Sequence, residues 1–185
     1  GVSADTYLFG ARNPLSGDIE GFDIDLAHAV ADLLLGDPDK LQLVVITASD
    51  RLPALKDGRV DMVARNMTMT CDRWKEIAFS AEYYRSGQKV LVTKGSAAVT
   101  LDDLKDKRVC APTGTSSLTK LKTFSGVIPV ESANHTGCLV LLQQGKADAI
   151  TGDDTVLAGL AAQDPYAVVT AALAITAEPY GLGFN

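Results

Sequence analysis

One phrase, Leu-x-x-Gly-[Lys/Arg]-x-Asp, occurs twice in this chain and runs each time into a short apolar stretch. The copies are Leu55-Lys56-Asp57-Gly58-Arg59-Val60-Asp61-Met62-Val63 and Leu142-Gln143-Gln144-Gly145-Lys146-Ala147-Asp148-Ala149-Ile150. Such a phrase predicts a helix end, a glycine just past it where positive φ costs little, and then a buried strand. The first strand leads into Arg65-Asn66-Met67-Thr68-Met69-Thr70-Cys71-Asp72-Arg73, the second into Thr151-Gly152-Asp153-Asp154-Thr155. Two α/β halves are therefore expected, each ending a strand in a polar loop. One loop offers hydroxyls and arginine, the other carboxylates, which together suit a zwitterion.

The chain has 185 residues, enough for one large domain or two small lobes. Its 46 % hydrophobic content and mean hydropathy of +0.11 are those of a folded globular protein. A net charge of −6 argues against nucleic acid and anionic membrane surfaces, both of which require clustered Lys and Arg. No apolar run approaches the roughly 20 residues of a membrane span, and no signal-peptide pattern is present. The chain opens on what reads as the end of a strand, Gly1-Val2-Ser3, and stops at Gly183-Phe184-Asn185. Further residues are expected at both ends.

The alternation continues along the chain. Asp5 to Gly21 reads as loop, with turn signals at Asn13-Pro14 and Ser16-Gly17-Asp18. A helix is predicted over 23–35, with Leu26, Ala27, Val30, Leu33 and Leu34 on its apolar face, Asp23 and Asp25 in its first turn, and Gly36 closing it. Residues 41–46 form a strand, Ser49 or Asp50 caps a helix that tolerates Pro53 in its first turn, and 60–64 is a strand. This β-α-β-α-β order implies a mainly parallel sheet with helices on both faces.

Residues 89–93 read as a strand crossing between lobes. Then come a short helix 101–105, a strand 108–111, a helix capped by Ser116 or Ser117, and a strand 127–130. A helix 134–144, a strand 149–151, a helix 153–162 and a strand 167–169 complete the second lobe. Residues 180–184 cross back. The boundaries drawn are lobe 1 over 1–87, lobe 2 over 88–178, and the return crossing over 179–185.

In parallel sheets, ligands bind beyond the carboxyl ends of strands. Thr68, Thr70 and Arg73 stand there after the first repeat; an arginine fork matches a carboxylate, with hydroxyls and helix-start amides as further donors. The plainer reading makes Thr70 a helix cap and Arg73 a solvated side chain. Pro112-Thr113-Gly114-Thr115-Ser116-Ser117 resembles a nest of backbone N–H groups, or equally a glycine turn with a Ser cap. Of Asp153 and Asp154, one caps a helix and the other could accept from an ammonium group.

Catalytic machinery is not expected. There is no G-x-S-x-G elbow, Walker loop or dinucleotide loop, and His135 has no evident nucleophile partner. The three cysteines lack C-x-x-C spacing, and with two histidines a zinc site is not expected. Cys110 and Cys138 could pair in an oxidising compartment, leaving Cys71; buried free thiols are an equal reading.

With these residues laid out, the chain resembles the extracytoplasmic solute-binding proteins of ABC amino-acid importers, of the two-lobed family 3 type. The matching phrases are Gly21-Phe22-Asp23-Ile24-Asp25-Leu26-Ala27, Leu52-Pro53-Ala54-Leu55-x-x-Gly58 and Asn66-x-Thr68-x-Thr70-x-x-Arg73. Further on stand Ile77-Ala78-Phe79-Ser80-x-x-Tyr83-Tyr84-x-x-Gly87-Gln88, Gly114-Thr115-Ser116-Ser117 and Gly145-x-x-Asp148-Ala149-Ile150-x-x-Asp153. They span nearly the whole chain, and the resemblance is nearest to glutamine- and glutamate-binding types.

The resemblance implies a periplasmic-binding-protein-like α/β fold, two lobes on a double hinge, and no cofactor or metal. It implies capture of glutamate, aspartate, glutamine or asparagine by a monomer. Membrane permease subunits would then receive the amino acid, and the address would be periplasmic or lipid-anchored. Arg73 would pair with the ligand α-carboxylate, helped by Thr68, Thr115 and Ser116; Asp153 and the Asn66 carbonyl would take the ammonium. Asp5, Tyr7 and Leu8 stand where the family lines the ligand side chain, and Thr47-Ala48-Ser49 where it carries an aromatic. A cysteine pair placed like Cys110 and Cys138 is often bridged in the family. Arg65 or Arg12 would favour an acidic side chain, Asp5 an amide. A sensor domain and an amino-acid dehydratase on the same fold are the rival readings.

Overall fold

The structure, a computed structural model, describes all 185 residues. In chain order its elements are β1 (Asp5–Thr6), β2 (Gly10–Arg12), β3 (Ile19–Glu20), α1 (Phe22–Leu35), α2 (Arg51–Lys56), β4 (Met62–Val63), α3 (Cys71–Trp74) and β5 (Ala78–Phe79). Then come β6 (Tyr84–Thr93), a 3-10 turn (Asp102–Leu104), β7 (Arg108–Pro112), α4 (Ser116–Leu121), β8 (Ile128–Ser132) and α5 (His135–Gln143). The chain continues through β9 (Ala149–Asp153), α6 (Asp154–Gln163), β10 (Ala167–Val169), β11 (Ala177–Tyr180) and β12 (Gly183–Phe184). Contacts group these into unit 1, Gly1–Tyr84 with Pro179–Asn185, and unit 2, Arg85–Glu178.

In unit 1, Val2 bridges Val45 and Ala64, both in parallel, which sets the three predicted strand segments side by side. The predicted strand over 41–46 is met only at Val45; it takes single backbone bonds around Val2 rather than a ladder. Strand β12 pairs antiparallel with both β4 and β5. The stretch read as loop between Asp5 and Gly21 instead forms a small antiparallel sheet, β1-β2-β3. Its strands are too short for a two-residue period to register. Beneath lie Ile46, Ala54, Leu55, Val60, Val63, Met67 and Ile77 as one core.

Helix α1 buries Ile24, Ala27 and Ala31, while Leu33 and Leu34 are 84 % and 70 % exposed. The apolar face therefore ends a turn earlier than the leucines suggested. Asp23, read as an acidic residue of the first turn, is fully buried.

Unit 2 is built on a sheet of order β10-β6-β9-β7-β8, with β11 also joined to β6. Strands β8, β7 and β9 run parallel, linked by the crossover helices α4 and α5; β6 and β10 add antiparallel pairs. Successive residues of β7 face opposite sides. Cys110 packs with Leu91, Leu139, Ile150, Leu157 and Leu160, whereas Val109 and Ala111 pack with Val90, Leu118 and Leu121. Cys110 is bonded to Cys138, tying β7 to α5, and Cys71 is a free, exposed thiol.

Both repeat copies terminate their helices alike. Gly58 and Gly145 have φ of 66° and 65°, and each donates its N–H to the leucine carbonyl three residues back, Leu55 and Leu142, at 3.0 Å. The following residue donates to the carbonyl five back in each case, Arg59 to Ala54 and Lys146 to Leu141. A left-handed glycine satisfying the last carbonyls is the local device the phrase encodes.

Candidate ligand-binding loops

After β4 the chain turns through a loop whose backbone is fastened by buried charge. Asn66 has φ of 42°, a left-handed conformation that asparagine tolerates better than most residues. Its N–H donates to Asp23 Oδ2 at 2.9 Å, and Tyr83 Oη donates to Asp23 Oδ1 at 2.6 Å. Arg51, also buried, donates Nε to the Ala48 carbonyl and its NH1 amine to the carbonyls of Arg65 and Asn66. Burial pushes the Asp23 carboxyl up to about 6, against the opposing pull of Tyr83, the Asn66 N–H, Arg65 and Arg51. Burial likewise raises the Tyr83 hydroxyl, next to the Asp23 charge.

Downstream, the loop is pinned to the returning chain. Met69 N–H donates to the Pro179 carbonyl and Gly181 N–H to the Met67 carbonyl; Thr68 bridges Tyr180. Thr70 caps α3 by accepting the Arg73 N–H at 3.2 Å. The half-buried Arg73 donates its NH1 amine to the Thr68 carbonyl at 2.7 Å. The plainer reading holds only for Thr70, which is a cap; Arg73 is folded back on the Thr68 carbonyl rather than left in solvent.

In unit 2 two strand ends carry polar loops. Thr115 caps α4, accepting the Leu118 N–H and donating to the Pro112 carbonyl. The cap is thus Thr115, not Ser116 or Ser117; the helix begins at Ser116, earlier than read. Ser116 Oγ donates to the buried Glu178 at 2.6 Å. At the end of β9, Asp153 stands at the N-cap position of α6 but makes no side-chain cap bond. It is 8 % exposed, and Ser117 Oγ approaches it at 3.4 Å. Asp154 takes the structural role, accepting from Ser86 Oγ and from the Thr155 N–H.

Both strand-end loops, with the arginine-bearing helix start in one unit and the aspartate-bearing one in the other, lie within the stretch that a family profile matches. The profile of the bacterial extracellular solute-binding proteins, family 3, matches residues 1–157. The chain belongs to that family.

The ABC transporter glutamine-binding protein GlnH of Bacillus subtilis is 39 % identical over 184 residues, covering 98 % of this chain and 67 % of GlnH. The glutamine-binding protein of Geobacillus stearothermophilus is 38 % identical over 186 residues, covering 99 % of this chain and 70 % of that protein. Among solved structures, a Gly52Ala mutant of arginine-bound ArgBP from T. maritima superposes with a TM-score of 0.93 at 30 % identity. It covers all of this chain and 85 % of its own.

For this family member, the residues singled out in the sequence fall as follows. In unit 1, Thr68, Asn66, Arg65 and Arg73 share one loop and its helix start, and Asp5 lies 3.7 Å from the NH2 amine of Arg65. Tyr7 and Leu8 sit in the exposed turn after β1, and Arg12 is exposed, donating to the Gly17 carbonyl. In unit 2, Asp153 stands beside Ser117, while the hydroxyls of Thr115 and Ser116 are committed to a helix cap and to Glu178. The Asn66 carbonyl already accepts from Arg51. Sequence reasoning missed Arg51, the burial of Asp23, and Glu178. Only Asp23 lay within a family phrase; nothing local marks the other two.

No helix is long and apolar enough to cross a membrane.

Proposed function

We infer that the protein captures a polar amino acid, one of glutamate, aspartate, glutamine or asparagine, outside the cytoplasm and passes it to an ABC importer. The observation that carries this reading is Arg73, held by the Thr68 carbonyl beside a Thr70-capped helix start in a family 3 protein. An arginine fork suits a carboxylate, and the negative charge of Asp153 suits an ammonium. The two glutamine-binding relatives support the ligand class, and the name of GlnH supports the transporter. The Cys110–Cys138 bond supports an oxidising compartment.

Binding rather than catalysis is the activity, with free amino acid and permease subunits as partners and a monomer as the working form. Hinge closure about the two chain crossings is part of the same proposal, as is a periplasmic address or a lipid anchor at the outer face of the cytoplasmic membrane.

A thermal-shift screen of the twenty amino acids tests it: a ligand at a hundred times its Kd adds about 2.7 kcal/mol of stability. Stabilisation by none of them removes the reading. Arg73→Ala is expected to weaken binding at least about 100-fold, because a charge-assisted pair is lost from a desolvated site. Retention of wild-type affinity by that variant, measured by calorimetry, would show that the carboxylate binds elsewhere.

A further inference from the structure

Resting on the capture reading above, we propose that Gln88 of β6 is a positioning residue for the ammonium end of the ligand. It anchors the first turn of α4 and, through Ser117, orients the Asp153 carboxylate without neutralising it.

Gln88 is completely buried, whereas the buried residues that follow it on the strand, Val90, Leu91 and Val92, are apolar. A primary amide is costly to bury unless its polar atoms are bonded, so packing alone would favour leucine at this position. Both amide protons are used: Nε2 donates to the Ser117 carbonyl at 3.2 Å and to Thr151 Oγ1 at 2.9 Å. Thr151 gives its own proton to the Lys89 carbonyl and is therefore an acceptor toward Gln88. The orientation of the amide is fixed as well, because a flipped group would set its oxygen against the Ser117 carbonyl.

The backbone places this amide opposite Asp153. The two residues are Cα partners in the β6–β9 ladder. The N–H and C=O of Gln88 both turn the other way, to Thr176 and Ile175. Gln88 and Asp153 thus form the closer kind of antiparallel pair, with their side chains on one face. Ser117, itself buried, bridges them: its carbonyl takes the Gln88 proton, and its hydroxyl lies 3.4 Å from Asp153 Oδ1. On the returning chain, Thr176 Oγ1 lies 3.4 Å from Gln88 Oε1 and gives its proton to the Glu178 carboxylate.

A neutral donor suits this position. Between Asp153 directly opposite and Glu178 one hydroxyl away, a lysine would neutralise the charge meant for the ligand, and a third carboxylate would be repelled.

The test is calorimetric titration of the full chain with glutamine, glutamate, asparagine and aspartate, the variants being compared on whichever binds. Gln88→Leu keeps the volume and removes the donors; it should weaken binding at least about tenfold. Ser117→Ala should weaken it about threefold. Because Gln88 acts through Ser117, Gln88→Leu should cost no more than about threefold once Ser117 is already alanine. Gln88→Glu has its own signature: ionised it repels Asp153 and offers Ser117 no proton, while protonated it donates again. Its affinity relative to the natural protein should therefore rise at least about threefold from about pH 8 to about pH 5. If circular dichroism shows Gln88→Leu unfolded, Gln88→Met makes the same deletion with an unbranched side chain. Undiminished affinity in Gln88→Leu, additive losses in the double variant, or a Gln88→Glu profile parallel to the natural one overturns this inference while leaving amino-acid capture standing. Binding of none of the four amino acids overturns the capture reading itself.

Discussion

After Gly58 the chain passes through a two-residue strand into a loop fastened by buried charges; after Gly145 it enters a five-residue strand held by ladders on both sides. The helix ends before them are nearly superimposable in hydrogen bonding. Even the repeated aspartates differ. Asp148 accepts from the Arg108 backbone and guanidinium, and that pairing holds its carboxyl below the usual range. Asp61 is exposed at the edge of unit 1. One phrase therefore fixes how a helix stops, while the precision of the loop beyond it comes from other parts of the chain. In unit 1 that precision rests on Asp23, Arg51 and Tyr83. In unit 2 it rests on the central position of β9 and on a covalent tie between β7 and α5.

The largest expected effect tests the covalent side of this contrast. Replacing Cys110 and Cys138 together by serine opens a crosslink between residues 28 apart. Loop-closure entropy puts the loss at roughly 3–4 kcal/mol. Hydrogen exchange should show it in β7, α5 and β9 and not in the loop around Asn66. Equal loss of protection in both units would mean they do not hold their loops independently.

Next in size is the pH dependence set by Asp23. Its folded carboxyl titrates at about 6, above the ordinary value of 3.8, so the folded state binds more protons than the unfolded state between those limits. The contribution of this group to stability is full below about pH 4 and is lost as pH rises through about 6, a change on the order of 2–3 kcal/mol. Asp23→Asn removes that titration. Denaturation midpoints of the natural protein should therefore fall relative to the variant between pH 4 and 7. Parallel curves would show that Asp23 carries no such cost and that the unit 1 loop is held by other means.

The smallest effect tests what the two copies share. Gly58→Ala and Gly145→Ala each place a side chain at a left-handed φ with open space around it. Each should cost about 1–2 kcal/mol, and the two costs should agree within experimental error. A clear inequality would show that the helix ends are not equivalent after all.

Much of the element order was legible in the chain. Helix α1 begins one residue before the position read from its acidic first turn, α5 ends one residue early, and β10 lies where its apolar triplet placed it. Errors cluster where local signals are degenerate. Thr115, Ser116 and Ser117 are three consecutive hydroxyl residues, any of which can cap, and only the path of the chain selects the first. The sheet β1-β2-β3 escaped notice because its strands are two or three residues long. Leu33 and Leu34 continue the helical period of α1 past the point where anything covers them. In the unit 1 loop the Thr70 cap was readable because cap and capped N–H lie within one turn of each other. Arg51 was not readable: its partners are carbonyls 3, 14 and 15 residues away, and a carbonyl carries no sequence signature.

Helix termination was decided by the sequence alone, because a glycine at positive φ and the carbonyls it satisfies lie within a few residues of each other. The alternation of strands and helices, and the two polar loops it aims, follow from the same short-range periodicity. What only the tertiary structure decided is which charges are neutralised. From the sequence Arg65 was weighed as favouring an acidic ligand side chain and Asp5 an amide, each by its own charge; folding sets them 3.7 Å apart. Asp23 read as a first-turn charge of a helix and is the buried anchor of Asn66. Electrostatic partners are chosen by distance in space and by burial, and neither is written in residue spacing.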